Sequence, residues 1–206
     1  MILRIAATLA LIAGCGALAA YLHRMGELPT ATRAERHLRR MKDRATAPEA
    51  ATPVTVEAIA ALPKRRPLAE YSRLESRAVI LEGYVQRMLR AADDDFHLEI
   101  APRPRAPGEA SIPYVTGEIT PRWRRGSSPW SYARLIEAFH PNLGGVTPWE
   151  GGTRRARLTG WLLYDYEYEG TPTVFGAPRL SSWELHPVTK IELWSDSLQA
   201  FAEYAR

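Results

Sequence analysis

Cysteine is almost missing from this chain: the single one, Cys15, sits inside an apolar run near the N-terminus. The remainder therefore has no disulfide, no thiolate metal ligand and no cysteine nucleophile. It does not need staples, because a domain of about 150 residues buries roughly 70% of its extended surface. H-x-H, H-E-x-x-H and C-x-x-C spacings are also missing, and there is no internal repeat. Net charge is missing where a polyanion would need it. Of the formal +4, Arg4 supplies one unit and residues 23–50 supply the rest, with seven Arg or Lys against four Asp or Glu. Residues 51–206 hold 19 basic and 19 acidic residues. A dedicated nucleic-acid binder carries a basic excess in its folded part, so strong nucleic-acid binding is not expected here.

What is present begins with Ile5–Leu22, a stretch without a charged residue. At about 1.5 Å per residue its helix is roughly 27 Å long, close to a bilayer core. It reads as a single-pass membrane anchor facing the cell envelope. Ile12-Ala13-Gly14-Cys15 also resembles a lipobox, as in a periplasmic lipoprotein, and Ala17-Leu18-Ala19 fits signal cleavage and secretion. The basic residues after Leu22 outnumber Arg4 and favour a cytoplasmic C-terminal side, so topology stays open. Residues 23–50 read as a charged linker, with a short helix over Ala34–Arg44 that is either solvated or laid against anionic headgroups.

Residues 51–206 read as one domain. Thr52-Pro53 predicts a helix N-cap and first turn, running to Leu62 and stopped by Pro63. A long strand follows over Ala78–Leu89, with Val79, Leu81, Val85 and Leu89 on one parity and Gly83 among them. Asp93–Asp95 turn the chain into a second strand, where Phe96, Leu98 and Ile100 alternate with Asp95, His97 and Glu99 on a wet face. Tyr114–Ile119 is the third strand. Ser128-Pro129 opens a helix over Trp130–Phe139. Arg155–Asp165 and Trp183–Trp194 are strands four and five, rich in aromatic and β-branched residues. Ser195-Asp196 reads as the cap of a last helix, Ser197–Tyr204.

Five strands with a helix between the third and fourth is the element order of a mainly β, OB-fold-like Greek-key barrel, here with short flanking helices and an N-terminal hydrophobic helix. The residues Asp93, Asp95, His97 and Leu98, then Glu118 and Ile119, then Leu158-Thr159-Gly160 with Asp165, then Glu184-Leu185-His186-Pro187-Val188 resemble a family of bacterial, mostly exported OB-fold-like proteins. Its marks are a D-x-D-x-H-L hairpin and a C-terminal I-E-L-H-P-V strand. The resemblance covers roughly residues 70–194; Thr120 before Pro121 and a missing H-G-Q segment depart from it. It implies a fold and export, and no activity.

Three groups of side chains are candidates for chemistry. Glu184 and His186 share a strand face, with Asp165 on strand four, and fit a general base or its partner. The bland alternative is a histidine bonded to a carboxylate to pin the closing strand. Asp95, His97 and Glu99 are the oxygen and nitrogen types a divalent metal takes, though no motif spacing supports a metal, and no cofactor is expected. Trp123 and Arg155, with Asp95 and His97, are the ligand-binding candidates; the Arg–Trp run 122–125 and the Arg-rich run 154–157 resemble parts of single-strand binding grooves, or salt-bridge to the acidic segment Tyr164–Glu169. The leading expectation is a non-catalytic binding or accessory module held at the membrane by its N-terminal segment, with a protein partner or a small molecule as ligand. The alternatives are a metal-assisted phosphodiesterase or nuclease on the same barrel and single-stranded nucleic-acid binding.

Overall fold

The computed structural model describes residues 32–106, 109, 112–124, 130–139, 153–170 and 178–205. The apolar run Ile5–Leu22 and the Ser128 cap lie outside them. Among the described residues no helix is long and apolar enough to cross a membrane. Contacts divide the chain into two units, residues 1–43 and 44–206. The described part of the first is helix α1 (Arg33–Lys42), opened by a capping box in which Thr32 and Glu35 satisfy each other's backbone donors.

The second unit contains β1 (Thr52–Val54), α2 (Val56–Ala60), α3 (Leu68–Glu75), β2 (Ala78–Arg90), β3 (Phe96–Ala101), β4 (Tyr114–Ile119), α4 (Pro121–Arg124), α5 (Tyr132–Phe139), β5 (Arg154–Tyr164), β6 (Arg179–Ser195) and β7 (Ala200–Glu203). Strands β2, β3, β4, β6 and β5 pair in that order, and β5 pairs back to β2, closing a five-stranded barrel. All neighbours are antiparallel except β4 and β6, which run parallel. This is the OB-fold-like barrel, with α4 and α5 between its third and fourth strands.

Alternation explains the closure. Leu81 lies opposite Leu158, Leu158 opposite Ile191, Leu98 opposite Gly117, and Gly117 opposite Leu185, so one face of every strand fills the interior. Each aliphatic side chain fully buried there contributes about 1.5–3 kcal/mol. Parity is not kept along β2: a bulge between Val85 and Arg87 shifts the register. Met88, not Leu89, consequently enters the core, and Gln86 and Arg87 are buried as well. Gly160 is required by close approach. A Cβ there would stand 2.6 Å from the Pro187 carbonyl oxygen, where β5 and β6 slip past each other in register.

Two expected helices are different elements. Thr52 and Pro53 belong to β1, paired in parallel with Val79–Leu81; the helix starts one turn later, capped by Thr55, whose hydroxyl accepts from the Ala58 N–H at 3.1 Å. The segment after Asp196 is a turn, with Gln199 at φ 49°, leading into β7 rather than a helix. β7 pairs with β6 beyond the barrel, and its Phe201 meets Trp194 edge-on at 5.2 Å. Opposite, Tyr71 of α3 stacks on Tyr164 at 4.1 Å, and both meet Trp183.

Candidate functional site: a buried carboxylate–histidine cluster

The strand register that fills the interior also aligns a polar row on the outer face. Antiparallel pairing sets His97 opposite Glu118. Parallel pairing sets Thr116 beside Glu184 and Gly117 beside Leu185, so the next residues, Glu118 and His186, are neighbours. Asp95 precedes His97 by two residues and reaches the same face. Strands far apart in sequence thereby deliver Asp95, His97, Glu118, Glu184 and His186 to one place.

Glu118 stands between the two histidines. Its Oε1 lies 3.3 Å from His97 Nε2 and its Oε2 lies 2.9 Å from His186 Nδ1. Glu184 Oε1 is 3.4 Å from the same His186 nitrogen, and Asp95 Oδ2 is 3.8 Å from His186 Nε2. The other Glu184 oxygen pairs with Arg179, whose guanidinium stacks over Tyr168 at 4.3 Å. Asp95, Glu118, Glu184 and His186 are all buried; only the His97 side chain, 17% exposed, reaches solvent appreciably.

Burial alone would pull the His186 imidazolium down. The close approach and charge of Glu118, then of Glu184, outweigh it and push the group up to about 10. Glu184 is driven up by burial and by the Glu118 charge, against the pull of Arg179 and His186. Burial also works against Arg179, but Glu184, Glu118 and Asp165 together hold it above its usual range. The group is one set of coupled charges, with the proton on His186 favoured because carboxylates flank both of its nitrogens.

The second polar row is separate chemistry. Glu99, expected on a wet face with Asp95 and His97, is buried and paired with Arg87 across the bulge; Gln86 lies 3.4 Å from its other oxygen. Gln86 in turn bridges to the Ile112 backbone at both its donor and acceptor ends. The face is therefore not wet: its polar residues are matched to partners on neighbouring strands. Of the three metal candidates read from sequence, Asp95 and His97 reach the cluster and Glu99 does not.

The remaining candidates lie elsewhere. Asp165 caps the turn after β5, its Oδ1 accepting from the Glu167 N–H at 3.0 Å. It is fully buried, and its charge reaches Arg179. Trp123 is buried, with its indole N–H donated to the Arg44 carbonyl at 3.0 Å, so it offers no stacking platform. Its neighbour Arg124 lies over Phe96 at 4.0 Å and pairs with Asp94. Arg155 and Arg157 bind the two oxygens of Glu82 at 2.5 and 3.0 Å, not the 164–169 segment, and both stack on Phe201. They border an open cleft of about 820 Å³ between the β1–α2 corner and the outer face of β2, β5 and β6. Sequence reasoning did not single out Glu118 or Arg179 as site residues. Nor did it single out Arg87, which was signalled only by two polar residues at the parity break of an apolar strand.

No family model and no curated protein matches this chain. Among solved structures it is similar to asparaginyl-tRNA synthetase from Pyrococcus horikoshii, in a crystal structure complexed with asparaginyl-adenylate. The identity is 17% and the TM-score 0.29, over 64% of this chain and 22% of that one. The chain thus spans about a fifth of that protein's length. At that TM-score the likeness carries no argument, and the fold rests on strand order.

Proposed function

We propose that this chain is a non-catalytic binding module on an OB-fold-like barrel, that its ligand occupies the 820 Å³ cleft, and that the ligand is a protein segment. One observation carries the reading: among the described residues, an open cleft lies away from the Glu118–His186 cluster, whose ionisable side chains are buried. The apolar part of the cleft's lining is Val54, Val56 and Ile80. Its charged part sets Arg155, Arg157 and Lys190 against Glu57, Glu82 and Glu192. A neutral lining of mixed sign suits an amphipathic peptide and gives little to a polyphosphate.

The test is a titration followed by backbone amide NMR, with degenerate ten-residue peptides in one series and single-stranded oligonucleotides in another. Peptides are expected to shift Val54, Glu82, Gly83 and Arg157 saturably, and Arg157→Glu to weaken them roughly tenfold. Submicromolar oligonucleotide binding with a steep salt dependence would contradict the reading. Hydrolysis of a phosphodiester on adding Mn²⁺ would replace it with the metal-assisted nuclease alternative, which draws its support from Asp95, Glu118 and His186.

The N-terminal segment is proposed to hold this module at a membrane, because Ile5–Leu22 carries no charge over a bilayer-length span. Fractionation of the intact chain is expected to leave it in the membrane pellet. A soluble form beginning near Ala20 would instead show a cleaved signal.

A further inference from the structure

We propose that Asp95, Glu118 and His186 form a binding site for one divalent transition-metal ion. One ligand atom from each of these three buried residues can be chosen so that all lie within 4.8 Å of one another. The backbone explains why the set is together. Glu118 and His186 are adjacent by parallel register, and Asp95 is presented by the tight turn before β3, in which Asp94 takes φ 73°.

A cluster of acidic side chains alone would be ordinary. What points to an ion is the imidazole. His186 is fully buried, yet among the described residues neither ring nitrogen has an acceptor in line with it. Oxygens of Glu118, Glu184 and Asp95 stand 2.9, 3.4 and 3.8 Å away without lying along the N–H directions. A buried ring usually secures at least one aligned hydrogen bond. Glu184 Oε1, fully buried on the same side, likewise has no aligned donor. An imidazole nitrogen without an aligned acceptor, with carboxylate oxygens of Asp95 and Glu118 within 4.8 Å, is free to take an ion.

Charge and donor type narrow the ion. Asp95, Glu118 and Glu184 set three carboxylates against one permanent cation, Arg179, a balance that a divalent ion improves. One imidazole among carboxylates suits Zn²⁺, Mn²⁺ or Fe²⁺, whereas Mg²⁺ and Ca²⁺ prefer all-oxygen shells. Metal–ligand distances near 2.0–2.2 Å require the ligand atoms, now within 4.8 Å of one another, to draw in around the ion. Glu184, tied to Arg179, and His97, on the far oxygen of Glu118, are then the outer partners that orient the ligands, a role such groups fill at known metal sites.

The experiment uses the intact chain, stripped with a chelator and offered Zn²⁺, Mn²⁺, Mg²⁺ or Ca²⁺ in turn. Metal retained through gel filtration is counted by mass spectrometry, and the melting temperature is recorded. The expected result is one equivalent of Zn²⁺ or Mn²⁺ with a melting-point rise of several degrees, as an ion bound only by the native state gives. Mg²⁺ and Ca²⁺ are expected to bind at least tenfold more weakly. Asp95→Asn, nearly isosteric, should lower affinity at least tenfold, and Glu118→Gln likewise. Glu82→Gln, in the cleft, should retain the full equivalent. No metal retained by the parent chain would overturn the proposal. So would an equivalent that Asp95→Asn and Glu118→Gln retain undiminished, because the ion would then sit elsewhere.

Discussion

Replacing Arg87 by methionine is expected to cost about 3–5 kcal/mol, the range for removing one partner of a buried ion pair. The Arg87 and Glu99 side chains are 1% and 2% exposed, so water cannot stand in for the lost partner. The loss should also depend on pH in a defined sense. Burial raises the Glu99 carboxyl above 4.5 even with Arg87 present, because it outweighs the guanidinium's hydrogen bond and charge. Without Arg87 the group rises further. A carboxyl raised in the folded state contributes stability that is fully present below the unfolded value and lost as pH rises through the folded one. The deficit of Arg87→Met relative to the parent should thus be smallest below about pH 4.5 and grow towards neutrality. Urea melts across that range measure it, and a deficit independent of pH would mean that Glu99 is not the partner left behind. The double replacement Arg87→Met with Glu99→Leu should recover most of the loss, since an apolar pair of similar volume is often at least as stable as a buried ion pair.

His186→Ala should be comparably severe, on the order of 3–5 kcal/mol, because it leaves Glu118 and Glu184 facing each other in a buried site. For a chain of this size that corresponds to roughly 6–20 °C in melting temperature. The loss should persist in chelated protein, since His186 also braces the strand that closes the barrel. His97→Ala is expected to cost less, about 0.5–1.5 kcal/mol, because its ring is partly solvated and touches one carboxylate. Equal effects at the two histidines would contradict the burial difference between them.

The strands were readable because alternation is local. Leu98 and Ile100, or Leu158 and Leu162, show their inward face within a few residues. Elements decided by distant partners were not. Thr52-Pro53 has the chemistry of a helix start, but Thr55 has the same hydroxyl, and pairing with β2 claims the earlier residues. Ser195-Asp196 has the chemistry of a helix cap, but edge pairing with β6, the Trp194–Phe201 contact and the Tyr204 N–H donated to the Ile191 carbonyl at 2.8 Å outweigh it.

The candidate site was half visible for the same reason. His186, Glu184, Asp95 and His97 stand out as ionisable groups among apolar ones. Their shared partner Glu118 does not, because its neighbours in sequence, Gly117 and Ile119, say nothing about the two histidines that flank it in space. Glu99 and His97 looked alike as polar members of one alternating strand. Only β2 and β4 decide that one meets Arg87 and the other Glu118.

The central claim is that segments some seventy residues apart meet in one buried cluster. A double-mutant cycle between Glu118→Gln and His186→Gln, read by urea unfolding of chelated protein, tests it most directly. Contact at 2.9 Å in a buried setting predicts a coupling of about 1–3 kcal/mol. Effects that add to within about 0.3–0.5 kcal/mol, as for residues that do not touch, would contradict the cluster and the register of β4 against β6 that builds it.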